Sequence, residues 1–345
     1  MTRPRIDLHS DTATRPTDAM RKAIADAEVG DEQMGEDPTT HALEQRVADL
    51  LGKPAALFLP SGSMANKVSI AAQTNAGDVV ICDRQAHVCR WESGGPSIIG
   101  GISFEPLDAP GGRYTPDQLR QAYVAGTKYQ PPTTMAWLEQ THNHGGGAVW
   151  ALADYEAVTA TATSLGLAMH VDGARLPNAV VATEVPFHRW AATVDSIWFD
   201  FSKGLGAPMG AVLAGSGDFI EAANRYKYVL GGALRQSGMV AAACLYALDH
   251  HVDRLADDHA NATRLAEGLT DLGCALNKPV ESNMVYFDPA PAGLGTPAFV
   301  SVMTTSGIRF TPSPSGDIRA VTHLDVSADD IEDVLRTAEA ALRQG

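Results

Sequence analysis

Cysteine is scarce: Cys82, Cys89, Cys244 and Cys274 are the only four in 345 residues. They are too few and too scattered for a disulfide framework, and no two form the CxxC pair of a zinc site. Free buried thiols in a reducing compartment are expected. Positive charge is also in deficit, with 26 lysines and arginines against 41 aspartates and glutamates, a net charge of −15. Such a surface repels phosphate backbones and anionic lipid, and no basic patch offsets it, so neither nucleic-acid nor membrane partners are expected. No run approaches the roughly 18 uninterrupted apolar residues of a membrane span, and the start, Met1-Thr-Arg-Pro-Arg-Ile-Asp-Leu, lacks the apolar core of a signal peptide. A cytoplasmic protein is the expectation. GxGxxG, GxxxxGK[ST], HExxH and EF-hand loops are missing too, which leaves dinucleotides, P-loop nucleotides and catalytic zinc without a signature.

What is present is a chain long enough for about two domains, with 45% hydrophobic residues. A helical pattern opens at Thr17 behind Pro16, and a second, from about Thr40, stops at Gly52. Short apolar runs then alternate with helical sequence: Ala55-Ala-Leu-Phe-Leu59, Asp78-Val-Val-Ile-Cys82, Met135-Ala-Trp-Leu138, Leu167-Ala-Met-His-Val171 and Ser196-Ile-Trp-Phe199. Runs of this kind are strands covered on both faces, so the fold class is α/β with a mostly parallel sheet. One long helix is predicted from about Val240 to Leu272. Beyond it, strands at Val285-Tyr-Phe287, Ile308-Arg-Phe310 and Arg319-Ala-Val-Thr322 and a helix behind Ser327 form a smaller α+β unit.

The chemistry is sought at strand ends, where open α/β sheets hold ligands. Asp172 ends one apolar strand, and Lys203 follows another 31 residues later. An acid and a lysine so placed are what pyridoxal phosphate needs: a Schiff-base amine and a carboxylate for the pyridine nitrogen. Ser202 and Gly204 leave room around the lysine. Pro60-Ser-Gly-Ser-Met-Ala-Asn66 joins a strand to a helix, where free amides and the dipole suit a phosphate held by Ser61, Gly62 and Ser63. Taken singly, each feature also has a structural reading, as a capping acid, a surface lysine or a plain turn. His87 follows the next strand, as a ring platform, a base or a water-holder. Thr141-His-Asn-His144 carries two histidines but no third ligand, and no metal is expected. Arg175 and Arg319 are candidates for gripping a carboxylate.

These motifs, in this order, resemble the low-specificity threonine aldolases of the fold-type-I pyridoxal phosphate superfamily, in the aromatic amino acid β-eliminating lyase group. Carrying the resemblance are residues 6–16, 29–38 and 59–66, Ala86-His87 with Glu92-Ser-Gly-Gly95, Thr141-His-Asn143, His170-Val-Asp-Gly-Ala-Arg175, Ser202-Lys-Gly-Leu-Gly206, Gly231-Gly-Ala-Leu-Arg-Gln-Ser-Gly238 and 319–325. The resemblance implies a large domain over 17–245 with a mostly parallel seven-stranded sheet, a small α+β domain over 246–345, and an N-terminal segment, 1–16, that reaches the site. It implies Lys203 as the Schiff-base lysine, Asp172 on the pyridine nitrogen and His87 stacked on the ring. Ser61, Gly62 and Ser63 would hold the phosphate with Arg235 of a neighbouring subunit, and Ser10, Arg175 and Arg319 the substrate carboxylate. The implied enzyme is a homotetramer that cleaves L-threonine or L-allo-threonine to glycine and acetaldehyde, with His87 or a water it holds as base. Two departures stand out: Tyr129 where the family often has a second histidine, and Tyr228, beside Lys227, where a basic residue is common. β-Elimination, cleavage of bulkier substrates such as phenylserine, and a non-catalytic ligand-binding protein are the alternatives.

Overall fold

The computed structural model describes residues 4–313 and 316–343. Seven strands, β1 (Ala55–Leu59), β2 (Val79–Asp83), β3 (Ser103–Leu107), β4 (Thr133–Glu139), β5 (Ala168–Asp172), β6 (Ser196–Asp200) and β7 (Ala211–Gly215), form one sheet in the order β1-β7-β6-β5-β4-β2-β3. Only β7 runs antiparallel to its neighbours, β1 and β6, so the other six strands share one direction and their carboxyl ends open on one edge. Successive residues point to opposite faces. Phe58, Ile197 and Phe199 enter the largest apolar cluster, while Leu57, Leu59 and Trp198 enter another on the far side. Both faces being covered is why these strands read as continuous apolar runs.

Two strands of this sheet carry little sequence signal. β3 lies at the sheet edge without a fully buried residue and carries Pro106, which an edge tolerates. β7 is buried throughout, but Ala-Val-Leu-Ala-Gly carries little β-branched or aromatic signal. The single long helix predicted over 240–272 is instead two, Gly238–His250 and Leu255–Asp271. Its halves serve different cores: Ala241, Cys244 and Ala247 belong to the largest cluster, and Ala262, Leu265 and Leu269 to a second. At the break, His251 Nδ1 meets the Leu205 carbonyl at 2.7 Å, holding the turn to the loop after Lys203.

The second cluster lies under a four-stranded antiparallel sheet of β8 (Ala275–Leu276), β9 (Met284–Asp288), β10 (Thr311–Pro312) and β11 (Ile318–Val321), ordered β10-β11-β9-β8. Ile6 and Leu8 join this core, and Ile6–Asp7 pairs in parallel with Ile308–Arg309. That pairing delivers Ser10 and Asp11 to the large sheet's open edge. The closing helix, Ala328–Leu342, begins with the expected capping box between Ser327 and Asp330. Ser327→Ala is expected to cost about 1 kcal/mol, read as a lower urea midpoint with an unchanged slope.

Candidate active site

Five strand ends meet at one cavity of about 690 Å³, delivering Ser61 after β1, His87 after β2, Glu139 at the end of β4, Asp172 at the end of β5 and Lys203 after β6. Ser10, Gly62, Ser63, Arg175 and Arg319 line the same cavity. The structure thus brings together every site residue expected from the sequence except Arg235.

Helix Gly62–Gln73 starts on the cavity with Ser61 as its cap, the Ser61 hydroxyl accepting from the Met64 amide at 3.3 Å. The amides of Gly62 and Ser63 precede the first intrahelical donor and find no acceptor among the described residues. They are available to an anion, together with the positive end of the helix dipole. Gly62 has no room for a side chain, because a Cβ there would stand 2.3 Å from the Trp198 ring. Gly62→Ala is therefore expected to destabilise by about 1–3 kcal/mol and to disturb this cradle, which a thermal melt with and without phosphate measures.

Asp172 is buried at the cavity floor. Its Oδ2 accepts from Asn66 Nδ2 at 2.9 Å and its Oδ1 from the Ala174 amide at 3.1 Å, while Trp198 Nε1 fixes Asn66 from behind at 2.7 Å. Burial, then the nearby Glu139 charge, push the Asp172 carboxyl up to about 6, with Lys203, His87 and Asn66 pulling the other way. Such a carboxyl gains from a cationic partner in the cavity. Lys203 Nζ lies 3.5 Å from Asp200 Oδ2, and the lysine's carbonyl is held by the Thr14 hydroxyl at 2.7 Å. A Cβ on Gly204 would come within 2.8 Å of Leu255 Cδ2, so the small residue beside the lysine is also a packing requirement.

His87 is fixed at two points. Its amide donates to Glu139 Oε2 at 2.7 Å, and its Nδ1 lies 2.8 Å from Glu92 Oε1. Glu92 in turn accepts from Asn66 Nδ2 at 3.1 Å and Lys67 Nζ at 3.0 Å, so the His87 and Asp172 networks are one. Glu139 also accepts from the Asn143 amide at 2.8 Å.

Arg175 is buried and holds Asp11 through Nε and Nη2, both at 2.6 Å. Burial opposes the charged form of Asp11, but the Arg175 guanidinium overrides it and holds that carboxyl far below the usual range. Arg319 donates through Nη1 to Asn143 Oδ1 at 3.0 Å and through Nη2 to the His9 carbonyl at 3.1 Å. Its Nε is buried without a partner among the described residues, an unfilled donor in a guanidinium that lines the cavity. Ser10 accepts from the Thr12 amide and hydroxyl at 3.3 and 3.0 Å.

Arg235 points elsewhere. Its side chain is 60% exposed and pairs with Asp31 at 2.8 Å, outside the cavity of its own chain. Tyr129 is exposed before β4, Tyr228 is half exposed, and Lys227 is buried in an ion pair with Glu32. Cys89 is only half-buried, unlike the other three thiols, all of them unbridged. Sequence reasoning missed Asn66, Glu92, Glu139, Asp11 and Asn143. Asn66, Glu139 and Asp11 hold Asp172, His87 and Arg175 across 106, 52 and 164 residues, while Glu92 sits five residues from His87; all but Glu139 lay inside the motifs already marked.

Pyridoxal phosphate fits these residues: unfilled amides for a phosphate, a buried carboxylate that gains from a pyridinium nitrogen, and a lysine amine on the same cavity. The model of the β-eliminating lyase family matches residues 7–291. Low-specificity L-threonine aldolase 1 of Arabidopsis thaliana is 38% identical over 98% of this chain and 96% of its own. The low specificity L-threonine aldolase of Escherichia coli K12 is also 38% identical, over 95% of this chain and 97% of its own. Among solved structures, the Leishmania major threonine aldolase superposes with a TM-score of 0.85 over 98% of this chain and 99% of that one, at 16% identity, which shows the shared fold. A family model spanning most of the chain and near-full-length relatives together place this protein in the β-eliminating lyase family, among the low-specificity L-threonine aldolases.

Proposed function

We propose that the protein is a pyridoxal phosphate-dependent carbon–carbon lyase that cleaves L-threonine or L-allo-threonine to glycine and acetaldehyde. The observation that carries this reading is the convergence of Lys203 and Asp172 on one cavity, with the Ser61–Ser63 cradle beside them. Pyridoxal phosphate, when bound, supplies an electron sink conjugated to the substrate's α-carbon.

The chain's own residues set which bond breaks. Lys203 supplies the amine for the cofactor's aldehyde. Asp172, anchored by Asn66, would meet the cofactor's ring nitrogen and favour its protonated form. Ser61, Gly62 and Ser63 hold the phosphate, and His87 offers a ring platform. Arg319, through its unfilled Nε, takes the substrate carboxylate with Arg175 and Ser10. A fixed carboxylate fixes rotation at the α-carbon and so selects the Cα–Cβ bond for cleavage. An imidazole facing the cavity removes the β-hydroxyl proton. Arg235, exposed and outside its own cavity, serves the phosphate of a neighbouring subunit in a cytoplasmic homotetramer. No helix among the described residues is long and apolar enough to cross a membrane.

The test is product analysis of the purified holoenzyme. Glycine with acetaldehyde in equal amounts supports aldol cleavage; a keto acid with ammonia overturns it in favour of elimination. Turnover of phenylserine relative to threonine ranks side-chain preference.

A further inference from the structure

Two imidazoles line the cavity, in opposite surroundings. His87 is half-buried against carboxylates. Burial works against its charged form, but the Glu92 hydrogen bond and the charges of Asp172, Glu92 and Glu139 prevail and raise its pKa. With its amide held by Glu139 and its Nδ1 by Glu92, the ring is fixed as a platform for the cofactor.

His144 has different partners. Its ring lies face to face on Trp91, with centroids 4.8 Å apart and planes 17° from parallel. No described residue hydrogen-bonds to either ring nitrogen. Its backbone is pinned: the carbonyl accepts from Lys278 Nζ, and the preceding residue, Asn143, is tied by its amide to Glu139 and by its side chain to Arg319. The ring is therefore one residue away from the group that orients the carboxylate-binding arginine. Burial first, then the charges of Arg319, His142 and Lys278, lower the His144 pKa to about 4 against the opposing pull of Glu139. At neutral pH it is an uncharged imidazole in the cavity.

We propose that His144, backed by Trp91, is the catalytic base of the cleavage, and that His87 only seats the cofactor ring. The inference rests on the lyase reading. The β-hydroxyl proton passes to His144, the O–H electron pair becomes the second bond of the aldehyde carbonyl, and the Cα–Cβ bond breaks with its pair left on the α-carbon. The α-carbon then takes up a proton to give glycine, and His144 returns its own proton to solvent. Arg319 and Lys278 beside the imidazolium favour that return.

The experiment compares wild type with His144→Gln and His144→Asn as holoenzymes. L-Threonine cleavage should fall about 10²–10⁴-fold, while both variants still exchange the α-proton of glycine, a reaction that involves no hydroxyl. In wild-type protein labelled at histidine, the imidazole resonance that vanishes in His144→Gln should titrate near pH 4. Wild-type cleavage rates in both variants, or a titration midpoint above about 6, overturn the inference. Joint loss of cleavage and glycine exchange in both variants also overturns it, by making the ring structural. A wild type that exchanges glycine but cleaves no β-hydroxy amino acid overturns the lyase reading and this inference with it.

Discussion

Lys203→Ala is expected to lower threonine cleavage by at least about 10³-fold and to abolish the visible absorption of the lysine-bound cofactor, while the protein stays folded. The lysine side chain is 19% exposed and its ion-pair partner, Asp200, is 3.5 Å away, beyond a strong hydrogen bond. The fold depends on its backbone, through the Thr14 hydroxyl and the Gly206 amide on its carbonyl, and alanine keeps both. Circular dichroism separates the two losses: a native spectrum without activity or colour is the expected result. A variant that kept both colour and cleavage would refute the assignment of Lys203.

Asp172→Asn should trade activity for stability. Cleavage is expected to fall about 10²–10³-fold, because an amide cannot keep the ring nitrogen protonated. The cofactor-free protein should behave oppositely. The Asp172 carboxyl titrates at about 6 in the fold against 3.8 ordinarily, so between those values the folded state holds a proton that the unfolded chain has lost. Wild-type stability without cofactor therefore falls as pH rises through that window, by at most about 3 kcal/mol, and the variant lacks this loss. Urea midpoints at pH 4.5 and 7.5 check it. Parallel pH dependences for the two proteins would show that Asp172 is not a strained carboxyl. Saturating pyridoxal phosphate should remove most of the wild-type penalty by supplying the missing cation.

How much was legible in advance varied with the range of the interaction. Gly52 ends its helix with φ +63 as an αL cap, and Ser327 with Asp330 makes both bonds of its capping box. These depend on residues within one turn, which a local reading captures. The 240–272 stretch reads as one helix because both halves are apolar at helical spacing, and periodicity does not reveal that they face different cores. Glu139 shows the same limit in the site. It organises His87 and Asn143 from the end of β4, yet alone it is one acid among 41.

Alternating apolar runs and helices, read by themselves, settled the α/β class and put Asp172 and Lys203 at strand ends, because both follow from periodicity and strand-end placement. Which face each imidazole presents, where Asp11 finds Arg175 and why Arg319 keeps an open donor were decided only by the tertiary structure. Desolvation and pairing here depend on groups 52 to 310 residues apart in the chain, and only the assembled fold brings them within hydrogen-bond distance.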